Sequence, residues 1–119
     1  MTRHIVTFER FDVIRVPFPF TDQLATKNRP ALILSSAEAF QAETGHSVMA
    51  MITSARHRPW ALDVELTALD AVGLSSPSRV RFKLFTLDHR LVRGRLGRLS
   101  AGDAAQVEAA LRRLLSFGA

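Results

Sequence analysis

The chain has 119 residues, 47% of them hydrophobic, and a formal net charge of +5 at neutral pH. That length and apolar content fit a single compact domain over 1–119 with a thin core, and exclude a disordered chain. The absence of cysteine excludes disulfide frameworks, thiol nucleophiles and thiolate metal sites.

In chain order, Asp12 to Val16 is β-branched and reads as a strand. Pro17-Phe-Pro-Phe20 marks its end or an edge, since each proline removes a ladder donor. Thr21 to Asn28 reads as a polar loop. Pro30 to Ser35 is a short apolar run, the mark of a buried strand. Ala37 to Thr44 holds helix formers, with Gly45 placed to end a turn or two. His46 to Thr53 is a third strand, and Ala55 to Pro59 a basic loop. Leu62 to Leu66 alternates apolar and charged residues, the period of a strand with one wet face carrying Asp63 and Glu65. Gly73 to Ser78 is loop chemistry. Arg79 to Phe85 alternates again, with cations on one face, and Leu96 to Leu99 reads as a last short strand. A terminal helix follows. Ser100 is its N-cap, Asp103 completes a weak capping box, and Val107, Leu111, Leu114 and Leu115 form its apolar stripe. The expected fold class is mainly β (α+β), a small antiparallel barrel or roll with a helix packed on it.

The cations are mostly arginines, whose planar fork suits phosphate. They point to nucleic acid or an acidic protein as partner, although a merely solvated basic surface would read the same. No run approaches the roughly 20 apolar residues that span a bilayer, and the N-terminus lacks a signal peptide's apolar stretch. The expectation is a soluble cytoplasmic protein with no membrane partner.

His4, His46, His57 and His89 are not spaced as metal ligands, and no acidic cluster accompanies them. There is no glycine-rich phosphate loop and no nucleophile elbow. No metal and no cofactor is expected. An arginine-rich protein of this kind can still cleave RNA, because the 2′-hydroxyl is an internal nucleophile held beside its own phosphorus. The protein then has to stabilise phosphorane charge and move two protons.

Four stretches in this order resemble the MazF/PemK family of type II toxins: FDVIRVPFPFTD, KNRPALILSS, VMAMITS and SRVRFKLFTLDHRLVRGRLGRLS, the last spanning Ser78 to Ser100. The resemblance implies a Src-homology-3-like barrel of the MazF/PemK/CcdB toxin type with a C-terminal helix, assembled as a homodimer. It implies metal-independent, sequence-preferring cleavage of single-stranded RNA to 2′,3′-cyclic phosphate and 5′-hydroxyl ends, with a cognate antitoxin protein covering the groove.

The resemblance also carries two catalytic positions onto this chain. Arg29, before proline, would stabilise charge and could protonate the leaving oxygen. Thr53, ending the third strand, would hold a phosphate oxygen. On the residues alone, a surface ion pair of Arg29 with Asp22 and a plain strand role for Thr53 stay open. Arginine is a poor base at neutral pH, so His57 is a candidate for that task. Thr21, Lys27, Ser54, Arg56, His57, Arg79 and Arg81 are the candidate RNA contacts. Arg79, Arg81, Lys83, Arg90, Arg93, Arg95 and Arg98 fall within twenty residues opposed only by Asp88, as an RNA track or an antitoxin face. Phe18, Phe20 and Trp60 could stack bases or pack a core or dimer. Two departures stand out: Phe11 sits where relatives carry glycine, and Arg79 where many carry glutamine. A CcdB-like gyrase-binding toxin and an inactive antitoxin-binding relative remain alternatives.

Overall fold

A computed structural model describes residues 6–17 and 27–117. His4, Thr21, Asp22, Phe18 and Phe20, with most of the 21–28 loop, lie outside the described residues.

Among the described residues six strands form one antiparallel sheet: β1 (Asp12–Pro17), β2 (Asn28–Ile33), β3 (His46–Ser54), β4 (Val64–Glu65), β5 (Ser78–Asp88) and β6 (Gly94–Arg98). Their order is β4-β5-β3-β2-β1-β6, with every pairing antiparallel. The sheet curls into a half-barrel, the mainly β architecture with a C-terminal helix that the sequence led us to expect. Between β2 and β3 a π-helical turn (Ala37–Gln41), capped by Ser36, runs into one α turn, α1 (Ala42–Thr44). Gly45 ends it at φ 66°, in the left-handed region.

The middle strands are buried on both faces, which is why they read as continuous apolar runs. Val13, Leu32, Ala50, Ile52 and Val80 form one cluster with Val107 and Ala110 of the terminal helix α2 (Ala101–Leu115). Ile14, Val16, Ala31, Ile33 and Met49 form a second, flanked by Phe8, Met51, Phe85 and Leu87.

Three expectations need correction. The strand over Leu62 to Leu66 shrinks to Val64–Glu65, because Leu62 has φ 67°, outside the β region. The apolar stripe of α2 is buried only in its first half. Val107 and Ala110 are covered and Leu111 is partly so, whereas Leu114 and Leu115 project past the core into solvent. Asp103 does more than cap the helix. Its main-chain N–H donates to Ser100 Oγ, while its buried carboxylate accepts from Thr67 N, Thr67 Oγ1 and Ala68 N at 3.0, 2.7 and 3.1 Å. Burial alone would raise this carboxyl. Those donors outweigh it and hold the group below its ordinary range.

Phe11 has φ 74°. The left-handed backbone is costly for a bulky side chain. It is fixed by two main-chain bonds, Phe11 N to Ile33 O and Leu99 N to Phe11 O.

Gly97 on β6 lies under the 3₁₀ turn Asp70–Val72, so close that a Cβ would sit 2.1 Å from the Ala71 carbonyl oxygen. That neighbour is backbone and cannot rotate away. We expect Gly97→Ala to cost about 1–3 kcal/mol of stability, as overpacking does. Urea denaturation of the two proteins would show it as a lower midpoint at unchanged slope.

Candidate nucleic-acid cleavage site

The β2–β3 ladder ends at Ala31↔Met51. The next residue on β2 is Pro30, which has no N–H to offer. Past that point the end of β2 and the end of β3 enclose a cleft of about 360 Å³. Arg29 and Pro30 line one wall, Ile52, Thr53 and Ser54 another, and Arg56, His57 and the Ser76–Pro77–Ser78 segment complete it.

The two strand ends hold Arg29 and Thr53 by main-chain pairing, Arg29 opposite Val16 and Thr53 opposite Arg79. Arg29 is half-buried. Among the described residues its guanidinium has no carboxylate partner. Thr53 Oγ1 lies 2.6 Å from His57 Nδ1. A tight turn brings them together, with His57 N donating to Ser54 O and Arg56 N to Ser54 Oγ.

The loop 55–63 that carries Arg56 and His57 is fastened from behind. Arg79 donates to the carbonyls of His57 and Ala55 at 3.2 and 3.1 Å, and Arg81 to that of Arg58 at 2.7 Å. Both guanidiniums are neutralised. Arg81 Nη2 lies 3.0 Å and Arg79 Nη1 3.9 Å from Asp63, and Arg79 Nη2 lies 2.7 Å from Glu65. Asp63 also accepts from Trp60 N at 2.8 Å. Burial would raise the Asp63 carboxyl, but the Arg81 and Trp60 donors and the charges of Arg81 and Arg79 together pull it below its ordinary range.

The structure therefore sorts the sequence candidates into groups. Arg29, Thr53, Ser54, Arg56 and His57 meet in the cleft. Lys27 is exposed just outside its lining. Thr21 lies outside the described residues. Arg79 and Arg81, expected on a solvated face toward RNA, are instead 7% and 9% exposed and turned to the loop. Asp63, read as part of a wet strand face, is their shared buried counter-ion.

The run of cations is also less free than its sequence suggests. Beyond Asp88, which binds Arg90, acids from distant elements engage it. Asp63 and Glu65 hold Arg79 and Arg81, Asp12 holds Arg95, and Glu9 holds Arg98. Of the seven, only Lys83 and Arg93 have no carboxylate partner among the described residues. Sequence reading missed Ser76, Pro77 and Ser78 as cleft residues, and only their loop composition hinted at them.

Two other histidines are tied into the scaffold. His89 bonds Ser47 Oγ and the Val6 carbonyl, and His46 the Thr44 carbonyl. Among the described residues no three His, Asp or Glu side chains converge as a metal site. No described helix is long and apolar enough to cross a membrane.

Residues 9–115 match the family model of PemK-like, MazF-like toxins of type II toxin–antitoxin systems. No curated protein matches the sequence. Among solved structures, a Deinococcus radiodurans MazE–MazF complex is similar at 26% identity and TM-score 0.73, over 95% of this chain and 100% of that one. An endoribonuclease in complex with its cognate antitoxin, from a mycobacterial species, has 18% identity and TM-score 0.74, over 95% and 97%. The Mycobacterium tuberculosis toxin MazF-mt6 has 23% identity and TM-score 0.68, over 91% and 99%.

Proposed function

The chain belongs to the PemK-like, MazF-like toxins of type II toxin–antitoxin systems, and we propose that it is a metal-independent endoribonuclease acting on single-stranded RNA. The observation that carries this is one cleft that Arg29, Thr53 and His57 line together, with the Thr53 hydroxyl 2.6 Å from the His57 imidazole.

The chemistry follows from that arrangement. The 2′-oxygen attacks the adjacent phosphorus, the P–O5′ bond breaks, and the products are a 2′,3′-cyclic phosphate and a 5′-hydroxyl. Negative charge grows on the non-bridging oxygens. Arg29, held on a strand end and without a carboxylate partner among the described residues, offers them two parallel N–H donors. With Nδ1–H of His57 donating to Thr53 Oγ1, the Thr53 hydroxyl is free to donate to a phosphate oxygen. His57 Nε2 is then free to take the 2′-hydroxyl proton as the general base. Arg29 also passes a proton to the leaving 5′-oxygen, since an alkoxide is more basic than a neutral guanidine. Ser54 and Arg56 contact the backbone beside the cut. Arg79 and Arg81 serve as positioning residues that hold the His57 loop, in place of the direct RNA contacts first expected of them.

Toxins of similar structure are solved with antitoxins, which supports a cognate antitoxin partner here, and we read the chain as a homodimer acting in the cytoplasm. Mixed-sequence RNA incubated with the protein in chelator should be cut at preferred short sequences, with cyclic-phosphate and 5′-hydroxyl ends. Intact RNA alongside trapped gyrase–DNA complexes would overturn this reading in favour of a CcdB-like toxin.

His57→Ala should lower the cleavage rate by about 10²-fold or more, within the usual contribution of a general base. An unchanged rate would remove His57 from the mechanism and leave the base to water or another group.

A further inference from the structure

Trp60, the only tryptophan of the chain, stands on the same loop as His57. It is 49% exposed, an unusual setting for an indole that could pack inward. It is nevertheless held firmly. Its main-chain N–H donates to Asp63, and the Arg81 guanidinium lies 5.0 Å from the ring centroid. Arg81 is itself fixed by Asp63 and the Arg58 carbonyl. The Lys83 ammonium lies 5.8 Å from the same ring.

We propose that Trp60 is a stacking platform for a base of the RNA flanking the cut, with Lys83 and Arg58 attracting the adjoining phosphates. This rests on the reading of the cleft as an RNA site and extends it to substrate binding outside the cleft. Three observations carry it. The ring is presented to solvent by a rigid, charge-fastened support, so little order has to be gained on binding. It lies three residues from the cleft residue His57, at most about 11 Å along the chain, which is within the span of neighbouring nucleotides. Finally, the exposed cations of the ring and its loop are unneutralised: Lys83 lies at the ring, Arg56 and Arg58 stand on the same loop, and all three are exposed with no carboxylate partner among the described residues. A polyanion bearing flat bases matches that setting, since each base offers a π-face whatever its sequence. A second copy of the chain would bring the same cations against themselves across a two-fold contact.

The single indole is its own reporter. The Arg29→Ala variant of the full chain is titrated with an uncleavable, mixed-sequence 2′-O-methyl RNA decamer while tryptophan fluorescence and anisotropy of a labelled decamer are followed. Saturable quenching that tracks RNA binding is expected. In the same background Trp60→Ala should weaken binding about 5- to 150-fold, the range for losing one stacked base. Trp60→Phe should restore most of the affinity. Circular dichroism melts separate this from unfolding. Inorganic polyphosphate should compete for the cations without quenching the indole.

RNA bound with unaltered fluorescence and equal affinity in Trp60→Ala would overturn the platform and leave the RNA reading standing. So would equal quenching by polyphosphate. Fluorescence that depends on protein concentration and ignores RNA would overturn it by placing Trp60 in a contact between copies. Absence of any RNA binding would overturn both readings together.

Discussion

Arg29→Ala is expected to lower the single-turnover rate of RNA cleavage by about 10²–10³-fold, the usual cost of removing one preorganised donor from developing oxyanion charge. The size follows from its setting. Arg29 is held on a strand end against Val16, faces the cleft and has no carboxylate to neutralise it among the described residues. Its charge is therefore available to the phosphorane. Because no buried partner among the described residues is orphaned by its loss, stability should change by no more than about 0.5 kcal/mol. Arg29→Lys should recover only part of the rate, since an ammonium keeps the charge and loses the two-pronged geometry. Rapid-quench kinetics beside a thermal melt test both parts. Equal losses of activity and stability would mean that Arg29 is structural.

Asp63→Ala should be the most damaging single change to stability, at about 3–5 kcal/mol, because removing one partner of a buried ion pair strands the other. Two nearly buried guanidiniums depend on this carboxylate, and Glu65 remains for only one of them. The loss should reach the site as well. Arg79 and Arg81 hold the carbonyls of Ala55, His57 and Arg58, so their release frees the loop that sets His57 against Thr53. Cleavage should fall together with the urea midpoint.

The pH dependence has a definite sign. The folded Asp63 carboxyl titrates below its ordinary value of 3.8. Its contribution is therefore complete above the unfolded value and is lost as pH falls through the folded one. The stability gap between the native protein and Asp63→Ala should be widest near neutrality and close below about pH 4. Denaturation at both pH values checks this. A gap that persists in strong acid would show that the carboxylate's charge is not its source.

Much of the fold was legible in the chain. A β-branched run announced β1 and a short apolar run β2, His46 to Thr53 read as the third strand, and Ser100 announced the start of α2. What escaped was non-local. Asp12 meets Arg95 across 83 positions, and Glu9 meets Arg98 across 89. A local count of charge along β5 and β6 therefore overstated the free cations. Asp103 looked like part of a helix cap because its three partners on the 67–68 segment lie far away in sequence. Leu62 to Leu66 alternates correctly, yet the backbone at Leu62 breaks the strand.

The candidate site was legible in a different way. Arg29 and Thr53 came from family resemblance, and spacing alone would not have singled them out. Placing them in one cleft depends on Pro30 ending the β2–β3 ladder, and His57 was reachable only as a basic-loop neighbour of Thr53. Phe11 shows the converse: nothing in its local sequence announced the left-handed backbone that it adopts.

The most direct measurement uses an RNA whose mapped cut site carries a single 2′-deoxy nucleotide on the 5′ side, incubated with the protein in chelator and analysed by mass spectrometry of the ends. Cleavage at that site should vanish, while the all-ribose control yields a 2′,3′-cyclic phosphate and a 5′-hydroxyl. Continued cutting at the deoxy position would contradict attack by the 2′-oxygen, and with it the roles given to Arg29, Thr53 and His57.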